Sequence, residues 1–193
     1  SQRYPDKLLT EVIDPQMLKT FLLIEHIGGK PILDAAGAKD WSKVEQLINR
    51  VYFHVGFEGD DAYKDSLSWV GARGIAQFMK STYDRLTKRH PHLKTDYKEG
   101  TADHVNAIMA QYHLADSWLL HARRKLNGIP SKVEREKLEE LFTDQKILRQ
   151  YMAGSYNGGT FGFRYIRSGK KDAEFLPAYA ESITYVKKFD IVY

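Results

Sequence analysis

Apolar positions recur at helical spacing along nearly the whole chain, and strand-like alternation is scarce. Asp14-Pro15 reads as an N-cap followed by a first-turn proline, opening a short helix that ends at Gly28-Gly29. A second helix begins near Asp40. Its apolar stripe is Trp41, Val44, Leu47, Ile48, Val51, Tyr52 and Val55, and Gly56 is expected to end or fray it. Helical spacing resumes from Gly71 to about Leu86, whereas Lys88–Gly100, with a proline and four positive charges, reads as a surface loop. A long helix follows, with Val105, Ile108, Met109, Tyr112, Leu119 and Leu126 on its expected buried side, and Asn127-Gly128 is a turn signal. Ser131 and Glu134 form a capping-box pattern opening the next helix, whose stripe is Leu138, Leu141, Phe142, Leu148, Tyr151 and Met152. A glycine-rich stretch, Tyr156–Gly169, precedes a last helix over about Glu174–Lys187. The pattern predicts one mostly α domain of six or so helices.

Composition narrows the class. With 193 residues the chain can bury one substantial core and is too short for two ordinary domains. Apolar residues at 42% and charged residues at 28% place it among globular chains and exclude a disordered one. The net charge of +4 favours anionic polymers mildly but falls short of the concentrated basic stripe of a nucleic-acid binder. The absence of cysteine excludes disulfides, thiol catalysis and thiolate metal sites, and leaves the redox compartment open. No apolar run reaches the roughly 18 residues that span a bilayer; Phe21–Ile24 is stopped by Glu25 and His26. The chain starts at Ser1 with neither an initiator Met nor a signal peptide, so a trimmed chain, its export signal already removed, is expected.

Three stretches carry more than periodicity. The first is Ser68-Trp-Val-Gly71-Ala72-Arg73-Gly74-Ile-Ala-Gln77-Phe-Met79-Lys-Ser81-Thr82, the second Met152-Ala-Gly-Ser-Tyr156-Asn157-Gly158-Gly159, and the third Glu181-Ser-Ile-Thr184-Tyr185-Val186. Together, and in this order, they resemble the soluble lytic transglycosylase (SLT) domain family of the lysozyme-like superfamily. The family segments run Ser-Pro-x-Gly-Ala-x-Gly-Leu-Met-Gln-x-Met-Pro-x-Thr, then Ala-Ala-Tyr-Asn-Ala-Gly, then Glu-Thr-x-x-Tyr-Val. The likeness covers about two-thirds of the chain, roughly Val51 to Val186. It implies a lysozyme-like α-rich (α+β) single domain with a substrate cleft and a few short strands beside it. Residues 41–193 would form this catalytic domain and residues 1–40 a helical extension.

The family carries one essential Glu some nine residues before the motif's Ser. Glu58 lies ten before Ser68, so one inserted residue is implied. The residues themselves agree with an acid role. Glu58 follows the stripe of the Trp41 helix and sits among Phe53, Val55 and Phe57; a helix C-terminus and apolar neighbours both favour the protonated carboxyl that a general acid needs. The competing reading is an exposed turn acid in the cluster Glu58-Gly-Asp60-Asp61, and Asp60, Asp61 and Asp65 are rival carboxylates expected in a wet loop.

The implied activity is that of a carbon–oxygen lyase cleaving the MurNAc–GlcNAc bond of peptidoglycan without water, to a 1,6-anhydroMurNAc product, with one Glu as acid and then base. Ser68 would bond Glu58 or substrate, or merely cap the next helix. Gly71 and Gly74 would allow close backbone approach to sugar or a tight turn. Gln77 and Met79 would line the cleft, Met79 competing with ordinary core packing. Tyr156 would direct its hydroxyl at the reacting centre near Glu58, Asn157 would fix the turn, and Glu181 would contact glycan or be a solvated helical acid. The sequence departs from the family at Trp69 and Lys80, both proline there, and at Gly154, Ser155, Gly158 and Gly159; Trp69 is either a sugar-stacking platform or a buried residue.

The resemblance further implies glycan strands as partner, a monomer, no cofactor, and a place in the bacterial envelope, in the periplasm or anchored at the outer membrane. Any membrane association would come from a peripheral or lipid anchor outside this chain. The seven histidines form no His-Glu-x-x-His, and the pair His113/His121 lacks further ligands, so no metal site is expected. Arg123-Arg124-Lys125 and Lys170-Lys171 read as solvated clusters or, less readily, as attraction for anionic stem peptides. Three alternatives stand beside the first reading: a lysozyme-type hydrolase with a second acid facing Glu58, a non-catalytic glycan-binding module, and an all-helical interaction protein.

Overall fold

Side-chain caps fix where six of the helices begin, Asp103 among them. Asp14, Asp40, Asp96, Ser131 and Asp144 each accept a backbone N–H of the first turn, at 2.9, 2.9, 2.8, 3.3 and 2.7 Å, which satisfies donors that the helix leaves without partners. The computed structural model describes Ser1, residues 6–170 and residues 179–193. Among these it holds eleven helices: α1 (Leu9–Val12), α2 (Pro15–His26), α3 (Gly29–Gly37), α4 (Trp41–Glu58), α5 (Lys80–Arg89), α6 (Tyr97–Ala102), α7 (His104–Asn127), α8 (Lys132–Leu141), α9 (Gln145–Gly158), α10 (Phe161–Arg167) and α11 (Ala180–Val192). One 3-10 turn, Gly59–Asp61, follows α4. Pairing of strand type is confined to two isolated bridges, Leu67–Arg73 and Arg73–Phe78. No helix among the described residues is long and apolar enough to cross a membrane.

The chain packs as two compact units divided within α7. One is Ile13–Leu114 with Val192; the other is Ser1–Val12 with Ala115–Ile191 and Tyr193. In the first, α2 and α3 pack on α4, and Phe21, Ile24, Ile32, Phe78 and Tyr83 are fully buried. Asn106 organises its lower loop: Oδ1 accepts from the Lys94 N–H at 2.9 Å, and Nδ2 donates to the Tyr83 hydroxyl at 2.6 Å and the Gly100 carbonyl at 2.7 Å. A buried amide with all three bonds made stabilises one loop conformation, since each unmade bond would cost about 1–3 kcal/mol. In the second unit, α9 and α10 approach through glycine: a Cβ on Gly162 would lie 2.3 Å from the Tyr151 carbonyl. Tyr151, Met152, Phe161 and Phe189 are fully buried there.

Several expected elements differ. Gly71–Leu86 is not one helix; α5 starts only at Lys80, because Gly71, Gly74 and Gln77 take positive φ of 88°, 74° and 46°. The Lys88–Gly100 loop contains the start of α6, and α3 opens at Gly29, where an end was expected. Gly56 does not stop α4. The helix runs to Glu58 and is ended by Gly59 at φ 57°, whose N–H bonds the Val55 carbonyl. Only Val44 and Val51 of the α4 stripe are buried, with Trp41 59% exposed. In α7, Leu119 and Leu126 of the expected stripe are buried, whereas Val105 and Met109 are exposed, and in the first half of the helix the buried positions are mostly smaller or polar: Asn106, Ala107, Ala110 and Gln111. The glycine-rich stretch holds α10. Of the last expected helix, residues 174–178 lie outside the described residues, and α11 covers the rest and runs on to Val192.

Asp103 gives a direct test of this frame. Its Oδ1 accepts the Asn106 N–H at 3.0 Å at the start of α7, and its carboxylate meets Lys94 at 2.7 Å; these two contacts hold its pKa below the ordinary 3.8. The folded value is the lower one, so its stabilisation is present above the unfolded value and is lost as pH falls through the folded value. Asp103→Asn, which keeps a capping oxygen without the charge, is expected to lower the melting temperature at pH 7, and in a pH series of thermal melts the gap from wild type should narrow as pH falls below the ordinary aspartate range, through the lowered folded value.

Candidate active site

Glu58 is the last residue of α4, so its carboxyl stands at the negative end of the helix dipole. Its side chain is 40% exposed, and Oε1 lies 3.4 Å from Nδ1 of His54, one turn back. The apolar enclosure expected from Phe53 and Phe57 is absent, since these rings stack on each other at 6.0 Å and are 73% and 81% exposed. They flank the carboxyl as open apolar surface instead.

Tyr63 occupies the other side of His54. Its ring lies 4.5 Å from His54 and stacks on His26 at 3.6 Å, with the planes within 15°. Its backbone is left-handed, φ 59°, a conformation that costs a non-glycine residue on the order of 1 kcal/mol and is held only where contacts over-determine it. Burial raises the Tyr63 hydroxyl above its ordinary 10; Arg50 opposes the shift and Glu58 adds to it. His26, Arg50, Phe53, His54 and Tyr63 line a cavity of about 580 Å³. None of His26, Arg50, His54 and Tyr63 belongs to a recognisable sequence motif. The one signal for His54 was its i, i+4 spacing from Glu58.

The segment Ser68–Met79 is a tight double turn. Arg73 and Phe78 exchange both backbone bonds at 3.0 Å around the turn Gly74–Gln77. Ser68 turns its hydroxyl onto the Ala72 N–H at 2.9 Å, so it closes this loop and caps no helix. Gln77 spends both amide hydrogens internally, on Ser66 Oγ at 3.0 Å and the Gly74 carbonyl at 2.8 Å, which leaves its Oε1 to face a ligand. Met79 is 42% exposed and not core. Trp69 is 94% exposed, which settles its alternatives against burial, and Leu67 and Val70 beside it are open as well. Gly74 approaches protein and not ligand: a Cβ there would sit 2.0 Å from the Thr101 carbonyl, whereas at Gly71 it would meet nothing.

Among the rival acids, Asp61 pairs with Lys64, which holds its pKa low, and Asp65 lies 3.4 Å from Arg73. Asp60 is exposed on the 3-10 turn. Tyr156, Asn157 and Glu181 belong to the other compact unit, together with the third motif. There the second and third motifs touch: the Ser182 hydroxyl donates to Asn157 Oδ1 at 2.8 Å, and the Tyr156 and Tyr185 rings stack at 5.7 Å. Tyr156 also meets Trp118 edge-on at 5.4 Å. Asn157, inside the last turn of α9, thus ties that helix to α11, while Glu181 is an exposed first-turn acid of α11.

Comparison of the chain with protein-family models, curated proteins and solved structures yields no match. The histidines partner the protein itself. His26 Nε2 bonds the Ile75 carbonyl at 2.9 Å and His104 Nε2 the Ala62 carbonyl at 2.6 Å, so in each ring the ε nitrogen carries the proton. His113 meets His92, Nε2 to Nε2 at 2.8 Å, and stacks on His90. No group of three or more His, Asp or Glu able to hold a metal ion occurs among the described residues.

Gly74→Ala tests the double turn. The left-handed backbone and the clash with Thr101 together are expected to cost roughly 2–4 kcal/mol, read as a lowered denaturation midpoint, whereas Gly71→Ala, with open space around it, should cost only the strain of its positive φ, about 1–2 kcal/mol.

Proposed function

We propose that this protein is a peptidoglycan lytic transglycosylase of lysozyme-like fold, with Glu58 as its single catalytic acid and base. The observation that carries the reading is the setting of Glu58. It is a carboxyl at the open end of a helix in a stretch, residues 52–79, that holds half of the large apolar side chains exposed among the described residues, including Phe53, Phe57, Trp69 and Met79. Exposed aromatic faces beside a lone carboxyl suit a glycan, whose pyranose rings present C–H faces to aromatics and hydroxyls to polar groups. The motifs at Ser68–Thr82, Met152–Gly159 and Glu181–Val186 add the resemblance; Tyr156, Asn157 and Glu181 enter the reading through it alone. The engagement of Asp61 and Asp65 with cations favours one carboxyl over the two of an ordinary glycosidase.

In the proposed reaction the Glu58 carboxyl protonates the GlcNAc O4 as its bond to MurNAc C1 breaks. The 2-acetamido group shares the positive charge that develops at C1. The Glu58 carboxylate then takes the proton of the MurNAc C6 hydroxyl as O6 closes on C1, which yields the 1,6-anhydro ring and restores the acid. No water is consumed: the proton given to O4 leaves with the GlcNAc, and the proton of the C6 hydroxyl replaces it on Glu58. Glycan strands are the partner, no cofactor is needed, and the bacterial envelope is the place of action. A second reading, a glycan-binding module, is favoured only by Trp69, whose near-complete exposure suits binding with or without chemistry.

Two measurements test this. Digestion of purified peptidoglycan, with products read by mass spectrometry, is expected to release anhydro-muropeptides, and Glu58→Gln should slow release by roughly 10³-fold. Reducing-end products would mean a hydrolase, and retention on sacculi without release by either protein would mean a binding module. Trp69→Ala is expected to raise KM about five- to tenfold with little change in kcat, the sign of lost binding shared by ground and transition states.

A further inference from the structure

In the unit that contains α8 to α11, two pairs of cations from different elements converge on one cavity of about 510 Å³. Arg124 and Lys125 come from the last turn of α7, and Arg164 and Arg167 lie three apart on α10. Among the described residues no acid lines this cavity, and Arg124 and Lys125 have no salt-bridge partner. The α10 guanidiniums are held in place: Arg164 donates to the Tyr179 hydroxyl at 3.0 Å, and Arg167 Nε donates to Glu134 at 2.8 Å. Cations at the end of α7 have a local use, since they offset the helix dipole. That use explains neither their meeting with a second pair nor the buried apolar floor of Ile129 and Phe163, each about one-twentieth exposed. The positive potential is felt within the fold: His121 is held below its ordinary 6.5 by burial and then by Lys125 and Arg124.

We propose that this cavity binds the carboxylates of a short acidic peptide, namely the stem peptide of peptidoglycan; the choice of that peptide rests on the transglycosylase reading. Guanidinium groups pair with carboxylates in two-point geometry, and holding them in advance reduces the entropy lost on binding. The apolar floor takes the methyl and methylene groups that lie between the carboxylates of such a peptide. A nucleic-acid strand fits less well, because it needs a track of cations along its length and not four around one cavity. The site would hold the substrate by its peptide.

The test is a titration of the full chain, followed by amide NMR, with the tripeptide L-alanyl-γ-D-glutamyl-meso-diaminopimelate and with its fully amidated analogue. The tripeptide is expected to shift amides of residues 124–130 and 160–167. Amidation, or Arg124→Glu combined with Lys125→Glu, should weaken binding at least about tenfold. Should the charge-reversed variant lose its dispersed spectrum, salt decides instead: wild-type binding should weaken steadily between about 0.05 and 0.5 M salt. Equal binding of the neutral analogue, tripeptide binding untouched by charge reversal or salt, or no shift at millimolar peptide would each overturn the site. Because binding is read and not cleavage, these failures are distinct from a failure of Glu58-dependent release.

Discussion

Residues 59–79 are the one long stretch of the Ile13–Leu114 unit that is not α-helical, and the need to satisfy its peptide groups organises what surrounds it. A helix pairs its own N–H and C=O groups; an irregular segment must borrow partners or stay wet. Here the partners come from side chains on three helices and from the segment itself. His26 of α2 reaches the Ile75 carbonyl and His104 of α7 the Ala62 carbonyl. Tyr97 of α6 lies 2.9 Å from the Gly71 carbonyl and 2.6 Å from that of Phe78, and Gln77 closes its own turn. Where no side chain intervenes, the backbone comes close enough that only glycine fits, as at Gly74 beneath Thr101. The segment is thereby rigid without being regular, which suits a surface that must hold Trp69 and Met79 open to solvent.

The same borrowing explains what the sequence could and could not announce. Caps were legible because they are local: Asp14, Asp40 and Ser131 act within three residues of their own helix. The second half of α7 was legible too, through buried Leu119 and Leu126; its first half was not, because the positions buried there are largely Ala, Asn and Gln, which allow close approach and the bonds of Asn106, while Val105 and Met109 are exposed. An apolar stripe identifies a buried face only when the helix packs through large side chains. Gly71, Gly74 and Gly162 show the matching ambiguity of glycine. The first two break helical spacing by taking positive φ, whereas Gly162 sits inside α10 because its hydrogen faces the Tyr151 carbonyl. Position in the sequence does not separate these uses.

Of the candidate site, the order of motifs and the place of Glu58 at a helix end were legible, and its surroundings were not. Desolvation by Phe53 and Phe57 was inferred from proximity in sequence, but neighbours in a helix point about 100° apart per residue and need not enclose one another. His54 meets Glu58 because four residues make one turn, while Tyr63 and His26 join them through a reversal of the chain that no spacing rule describes. Ser68, read as a candidate for the carboxyl, accepts the Ala72 N–H of its own turn, a bond that no spacing rule announced.

An open carboxyl is not an objection to the proposed chemistry; it shifts the work to the substrate. A general acid must be protonated at the moment of bond cleavage, and water around an exposed Glu favours its ionised form. A glycan laid across Phe53, Phe57 and Trp69 would remove that water itself, so the apolar surface that fails to bury Glu58 in the free protein becomes its enclosure in the complex. In the proposed reaction the energy for this desolvation would come from binding remote from the reacting bond, the role that stacking on Trp69 would supply.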